Sequence, residues 1–166
     1  NYDYARNAID LALGRGGDQA VIKTPDDITY FGGKSQKVEK NTRVKARVKA
    51  HALKEIIESK DKIIVMGHKI IDVDAFGSAV GVYRAAKTFG KKTHIVVNEV
   101  TTSIKPLMER LLDTEEYEED LFINNNRAIE IIDENTVLIV VDVNKPSYTE
   151  CRELIDLCTS IVVLDH

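Results

Sequence analysis

An α/β fold built on a Rossmann-like, doubly wound parallel sheet is predicted for most of this chain by three observations. Apolar runs of strand length recur at Ile63-Ile64-Val65-Met66, Thr136-Val137-Leu138-Ile139-Val140-Val141 and Ser160-Ile161-Val162-Val163-Leu164. They are β-branched and continuous, as strands buried on both faces must be. Stretches with helical spacing separate them, and strands alternating with helices argue for a parallel sheet. Each run is followed by acids or histidines: His68, Asp72 and Asp74 after the first, Asp142 after the second, Asp165 and His166 after the third. A charge at the end of a buried strand needs a partner, and open parallel sheets bind ligands at the carboxyl ends of their strands.

The elements follow in order. Tyr4 to Leu13 has helical spacing, Gly14-Arg15-Gly16-Gly17-Asp18-Gln19 reads as a glycine-rich helix stop, and Ala20 to Lys23 as a short strand, with Pro25 and a linker beyond. From Thr42 to Ser59, Val44, Val48, Ala52 and Ile56 recur at intervals of four between lysines and arginines, which predicts an amphipathic, basic connecting helix. After the first buried strand comes a helix from about Ala75 to Phe89, closed by Gly90, with Gly77 and Gly81 expected on the face that packs closely on the sheet. A strand at His94 to Asn98, a helix around Ile104 to Leu112, a short strand near Leu121 to Ile123 and a helix around Arg127 to Ile132 precede the second buried strand. A helix near Cys151 to Cys158 leads to the last. The acidic run from Asp113 to Asp120 reads as a solvated loop.

The residue types at the strand ends suit a divalent metal pair. Imidazole with several carboxylates is a mixed, fairly hard donor set that favours Mn²⁺ or another octahedral ion over structural zinc. Asp72 and Asp74 are two apart, so on an extended turn their carboxylates point the same way, whereas on a helix they diverge by about 200°. Asp74 also stands where a helix N-cap is expected, and Asp142 can cap the turn announced by Asn144, Lys145 and Pro146. The joint pattern favours two ions about 3.5–4 Å apart acting on a phosphoryl group.

Composition narrows the remaining classes. The content is 43% hydrophobic and 30% charged, that of a soluble globular protein. No apolar stretch approaches the length of a membrane span, and no secretory signal precedes the fold. Two cysteines, Cys151 and Cys158, form neither a zinc motif nor a disulfide framework and read as reduced core thiols in cytoplasm. A net charge of −4 gives no reason to expect long nucleic acid as a partner.

The segments Gly67-His68-Lys69-Ile70-Ile71-Asp72-Val73-Asp74-Ala75-Phe76-Gly77-Ser78, Val140-Val141-Asp142 and Leu164-Asp165-His166 resemble, in order, three motifs of the DHH phosphoesterase family. The resemblance implies two Mn²⁺ ions held by His68, Asp72, Asp74, Asp142 and His166, with Asp142 bridging, and Asp165 orienting its neighbours. Tyr4 to Lys23 is similar to the C-terminal helix and strand of a degenerate GGDEF domain, with no catalytic role for Gly16, Gly17 or Asp18. Together these point to residues 1–33 as a GGDEF remnant, 34–60 as a linker helix and 61–166 as a truncated DHH lobe.

That combination resembles the GdpP-type (YybT-type) cyclic-di-AMP phosphodiesterases, membrane-anchored signalling enzymes with a DHHA1 domain downstream. The implied activity is hydrolysis of a cyclic dinucleotide, cyclic di-AMP, to linear pApA at the cytoplasmic face of the membrane. The fragment itself is expected to touch no membrane and to hold Mn²⁺ weakly or not at all. A homodimer is one option for its assembly. The alternatives are a DHH oligoribonuclease or nucleotide phosphatase acting on short linear RNA, and a regulatory module whose metal site is vestigial.

Overall fold

A computed structural model describes residues 2–13, 19–25, 27–32, 39–114 and 116–165. The chain divides into two compact units, Asn1–Ala50 and His51–His166. In the first, α1 (Tyr2–Leu13) is followed by β1 (Gln19–Lys23) and β2 (Ile28–Gly32), which pair antiparallel from Gln19↔Gly32 to Lys23↔Ile28. The Thr24 N–H donates to the Asp27 carbonyl at 2.8 Å and closes the connection. The second strand corrects the expectation of a linker after Pro25: Ile28, Thr29, Tyr30 and Phe31 are β-branched or aromatic behind a turn signal, a hairpin pattern. The glycine-rich stretch from Gly14 to Asp18 lies outside the described residues.

The helix α2 (Glu39–Ser59) runs across the boundary between the units, and its last part brings Leu53, Ile56 and Ile57 onto the core of the second. There the order is β3 (Lys62–Met66), α3 (Val73–Thr88), β4 (Lys92–Val96), α4 (Lys105–Leu112), β5 (Phe122–Ile123), α5 (Asn125–Ile131), β6 (Thr136–Val141), a 3-10 turn at Pro146–Tyr148, α6 (Arg152–Leu157) and β7 (Ile161–Leu164). The strands lie parallel in the order β5-β4-β3-β6-β7. The chain thus starts in the middle, builds outward through β4 and β5, then returns to the other side of β3 for β6 and β7. This doubly wound order places the topological switch point between β3 and β6, where such sheets bind their ligands.

Both faces of the sheet are covered. Ile63 and Val65 of β3, with Val137, Ile139 and Val141 of β6, face one cluster completed by Ile57, Phe76, Ala79 and Tyr83. Ile64 and Met66, with Leu138 and Val140, face the other, completed by Ala128 and Leu154. Alternate residues of each strand therefore serve opposite layers, and the strands read as unbroken apolar runs. The helix α3 buries Ala75, Phe76, Ala79, Val82, Tyr83 and Ala86, a single stripe.

Two details differ from the sequence reading. Gly77 and Gly81 lie on the exposed side of α3, and a Cβ on either would meet nothing within 4 Å, so they do not mediate close packing. The glycine that does is Gly67, where a Cβ would stand 3.1 Å from the Ala75 Cβ. The strand β7 is also not buried: it pairs with β6 at the sheet edge, and Ile161, Val163 and Leu164 are exposed. The acidic loop is exposed at every described residue but Tyr117, which is half-buried, packs on the core and lies tilted against Tyr83, while the exposed Glu116 pairs with Arg84.

Candidate metal centre

The site is assembled where β3 and β6 end side by side. Beyond Met66 the chain passes Gly67, whose missing side chain lets α3 approach, and reaches His68, which forms an antiparallel bridge with Thr149. The bridge is framed by two bonds of 2.9 Å, from the Lys69 N–H to the Tyr148 carbonyl and from the Glu150 N–H to the Gly67 carbonyl. The His68 ring is thereby held on a paired backbone.

Asp72 is the N-cap of α3, in extended conformation, and its Oδ1 accepts from the Asp74 N–H at 3.0 Å and the Ala75 N–H at 2.9 Å. These bonds use two of the donors that a helix start leaves unpaired. The other oxygen, Oδ2, stands 3.6 Å from His68 Nε2. The bond from Ala75, more than the neighbouring His68 ring, holds the Asp72 carboxyl below the ordinary carboxylate range.

Asp142 comes directly after β6 and has φ 57, a left-handed conformation that Asp tolerates better than most residues. The Asp142 N–H donates to the Leu164 carbonyl at 2.9 Å, and its Oδ2 stands 3.8 Å from His68 Nε2. The left-handed residue turns the chain out of the sheet at its carboxyl end.

His68, Asp72 and Asp142 each offer one donor atom, and these atoms lie within 4.8 Å of one another. One imidazole nitrogen and two carboxylate oxygens so placed fit a divalent ion of intermediate hardness, whose charge offsets the repulsion between the carboxylates. Of the three remaining candidates, the two that are described, Asp74 and Asp165, are not in this set. Asp74 lies in the first turn of α3 rather than on an extended turn, so its side chain leaves the backbone in a different direction from that of Asp72. Asp165 is exposed and accepts a hydrogen bond from Asn144 Nδ2. His166 is outside the described residues. The N-cap role weighed for Asp74 belongs to Asp72, which serves the helix with one oxygen and faces His68 with the other.

The cysteines flank α6 as its caps; both are free and buried, and burial pushes the Cys151 thiol up. Sequence reasoning passed over the segment Tyr148-Thr149-Glu150, which holds the His68 loop through backbone bonds that no side-chain pattern announces.

The chain is thus a doubly wound α/β lobe with His-x-x-x-Asp after its first strand and an Asp after its fourth, which together could hold a metal ion at the switch point. The DHH family, N-terminal domain, matches residues 62–166, and the chain belongs to that family. Over 169 residues it is 41% identical to the cyclic-di-AMP phosphodiesterase GdpP of Bacillus subtilis (strain 168), covering 99% of this chain and 25% of that protein. It is 42% identical over 169 residues to the cyclic-di-AMP phosphodiesterase PdeA of Listeria monocytogenes serotype 1/2a (strain 10403S), covering 99% of this chain and 25% of that protein. Over 166 residues it is 42% identical to GdpP of Geobacillus thermodenitrificans (strain NG80-2), covering 98% of this chain and 25% of that protein. The chain thus spans about a quarter of the length of these relatives. Among the described residues no helix is long and apolar enough to cross a membrane.

Proposed function

We propose that this chain carries the metal-binding lobe of a phosphodiesterase that hydrolyses cyclic di-AMP to linear pApA. The observation that carries the reading is the convergence of His68, Asp72 and Asp142 at the switch point. Relatives named as cyclic-di-AMP phosphodiesterases, alike over nearly the whole of this chain, support the choice of substrate.

The reaction adds one water across a phosphodiester: oxygen from water bonds to phosphorus, the bond to the 3′ oxygen breaks, and that oxygen leaves with a proton. Divalent ions, when bound, acidify water and stabilise the charge that develops on the phosphoryl oxygens. His68, Asp72 and Asp142 would hold one ion, and Asp74, a shared Asp142 and His166 would contribute to a second. Mn²⁺ is the metal this donor set favours. The paired backbone at His68 and the cap at Asp72 orient their side chains before any ligand arrives, which limits the ordering cost of binding.

The arrangement of residues 1–33 as a GGDEF remnant, 34–60 as a linker and 61–166 as the lobe belongs to the same proposal, as do a membrane anchor upstream and a DHHA1 lobe that completes the nucleotide site. On this reading the chain alone is inactive.

The test is a product assay on a protein that extends this chain with its downstream sequence, given cyclic di-AMP and, separately, short linear RNA, with and without Mn²⁺. Manganese-dependent formation of pApA is expected. Turnover of linear RNA in preference to the cyclic substrate would replace this reading with an oligoribonuclease. Hydrolysis by residues 1–166 at the rate of the longer protein would remove the need for a second lobe.

A further inference from the structure

Glu150 is a charged side chain that is only 8% exposed and takes no part in the metal-binding triad. Its backbone and side chain face different strands. The Glu150 N–H donates to the Gly67 carbonyl, and with the Lys69 to Tyr148 bond it frames the isolated antiparallel bridge between Thr149 and His68 on the chain leaving β3. The carboxylate turns toward the chain leaving β4. There Oε1 accepts from the Asn98 backbone N–H at 2.9 Å and from Asn98 Nδ2 at 2.5 Å.

Asn98 carries the connection onward. Its Nδ2 donates to Asn125 Oδ1 at 2.7 Å, and its Oδ1 accepts from the Asn125 N–H, at 2.9 Å, in the first turn of α5. Asn125 Nδ2 returns to the Glu150 carbonyl at 3.3 Å. The ladder between β3 and β4 has its last pair at Val65↔Ile95, so the Glu150 carboxylate continues the junction where the sheet no longer does.

Glu150 Oε2 is buried and has no hydrogen-bond partner among the described residues. An apolar side chain would avoid the desolvation cost of such an oxygen. It would also forgo two charge-assisted bonds to one residue, the kind that fix geometry most firmly. The position therefore favours a fixed junction over the least costly burial, and the backbone so fixed is the one that carries His68.

We propose that Glu150 is a positioning residue for the metal centre: by clamping residues 148–150 against the chain leaving β3 and β4, it sets where the His68 ring stands relative to Asp72 and Asp142. The inference rests on the metal-centre reading of the triad. It assigns Glu150 no contact with metal or substrate.

The experiment compares Glu150→Ala, Glu150→Gln and Glu150→Asp with Ile57→Ala, a core variant in α2 that lowers stability without touching the junction. Mn²⁺ affinity is measured in the protein extended by its downstream sequence, and amide exchange at Lys69 and Asn98, with the His68 ring nitrogen shifts, in residues 1–166. Loss of an orienting residue typically weakens metal binding by about 10-fold or more, and that is expected for the Ala variant. Gln keeps an acceptor for Asn98 and should stay within about 3-fold of the parent, whereas Asp, one methylene shorter, should behave like Ala. Should the Ala variant not fold, the Gln and Asp pair decides. Ile57→Ala should leave Mn²⁺ affinity and the His68 shifts unchanged.

Equal Mn²⁺ affinity in the parent and the Asp variant, or His68 shifts that move as much in Ile57→Ala as in the Glu150 variants, would overturn the proposal. If the parent binds no Mn²⁺, the metal-centre reading fails by itself. The exchange and ring shifts then still decide whether Glu150 positions His68.

Discussion

The two compact units of this chain use similar apolar residues to opposite effect. In Asn1–Ala50, Ile9, Ile22 and Phe31 are 60%, 55% and 52% exposed, and Ala8 is the one buried apolar residue among those described. In His51–His166, the four residues Ile63 to Met66 and all of β6 are buried. The difference lies in layers rather than composition. A helix against two strands leaves much apolar surface in water, while helices on both faces of a five-stranded sheet enclose two cores. Stability and the candidate site should therefore both depend on the second unit, and a substitution's effect should follow the layer it touches.

The largest effect is expected from Ile139→Ala in β6, fully buried against Ile63 and Phe76 in one core. Truncating such a side chain costs about 2–5 kcal/mol, because the cavity collapses only in part. Phe31→Ala in β2 removes a larger side chain from an exposed position and should change stability by no more than about 0.5 kcal/mol. Urea denaturation of both variants measures the contrast. A loss at Phe31 matching that at Ile139 would break the comparison between the units.

The next effect separates backbone from chemistry at Asp142. Its left-handed φ suits glycine, so Asp142→Gly should keep or slightly raise stability, while Asp142→Ala should lose about 1 kcal/mol. Both remove a carboxylate from the triad, and both should weaken Mn²⁺ binding by at least about 100-fold, more than removal of an orienting residue does. Equal stability of the two variants would show that the turn is not strained. Undiminished metal binding in either would take Asp142 out of the site.

The second unit was legible where burial and periodicity act within one segment, and less so where distant segments meet. Continuous β-branched runs announced β3 and β6, and the charges behind them announced His68, Asp72 and Asp142, because a buried parallel strand fixes where its next residues emerge. The cap role was weighed for Asp74 and falls on Asp72, since both precede the same helical run and only backbone geometry distinguishes them. The exposure of β7 was not legible either: an apolar edge strand reads like a central one, and its burial depends on what packs beside it. Gly77 and Gly81 share a face of α3, but spacing alone does not say whether that face meets the sheet. Glu150 was the least legible, because its partner Asn98 lies 52 positions away and no local pattern links them.

The smallest effect in stability, and the sharpest division of roles, is expected at Asp72. One of its oxygens caps α3 and the other faces His68, so two substitutions can separate the tasks. Asp72→Asn keeps an acceptor for the Asp74 and Ala75 N–H groups, and since Asn caps about as well as Asp, stability should change by only a few tenths of a kcal/mol. It removes the charge, so metal affinity should fall. Asp72→Ala loses the cap as well and should cost about 1 kcal/mol. The pH dependence follows from the carboxyl being held low, first by the Ala75 N–H and less by His68. A depressed folded-state pKa contributes stability that is present above the unfolded carboxylate range and is lost as the pH falls through the folded value. Acidification below the ordinary carboxylate range should therefore erode the parent and leave the difference between parent and Asp72→Asn smaller, because the Asn side chain does not titrate. Exposure of Asp72 to solvent screens part of this, so the shift is expected to be modest. Urea midpoints of parent and Asp72→Asn measured down through the acid range check it, and a difference that widens as the pH falls would show that the Asp72 charge opposes the fold rather than supporting it.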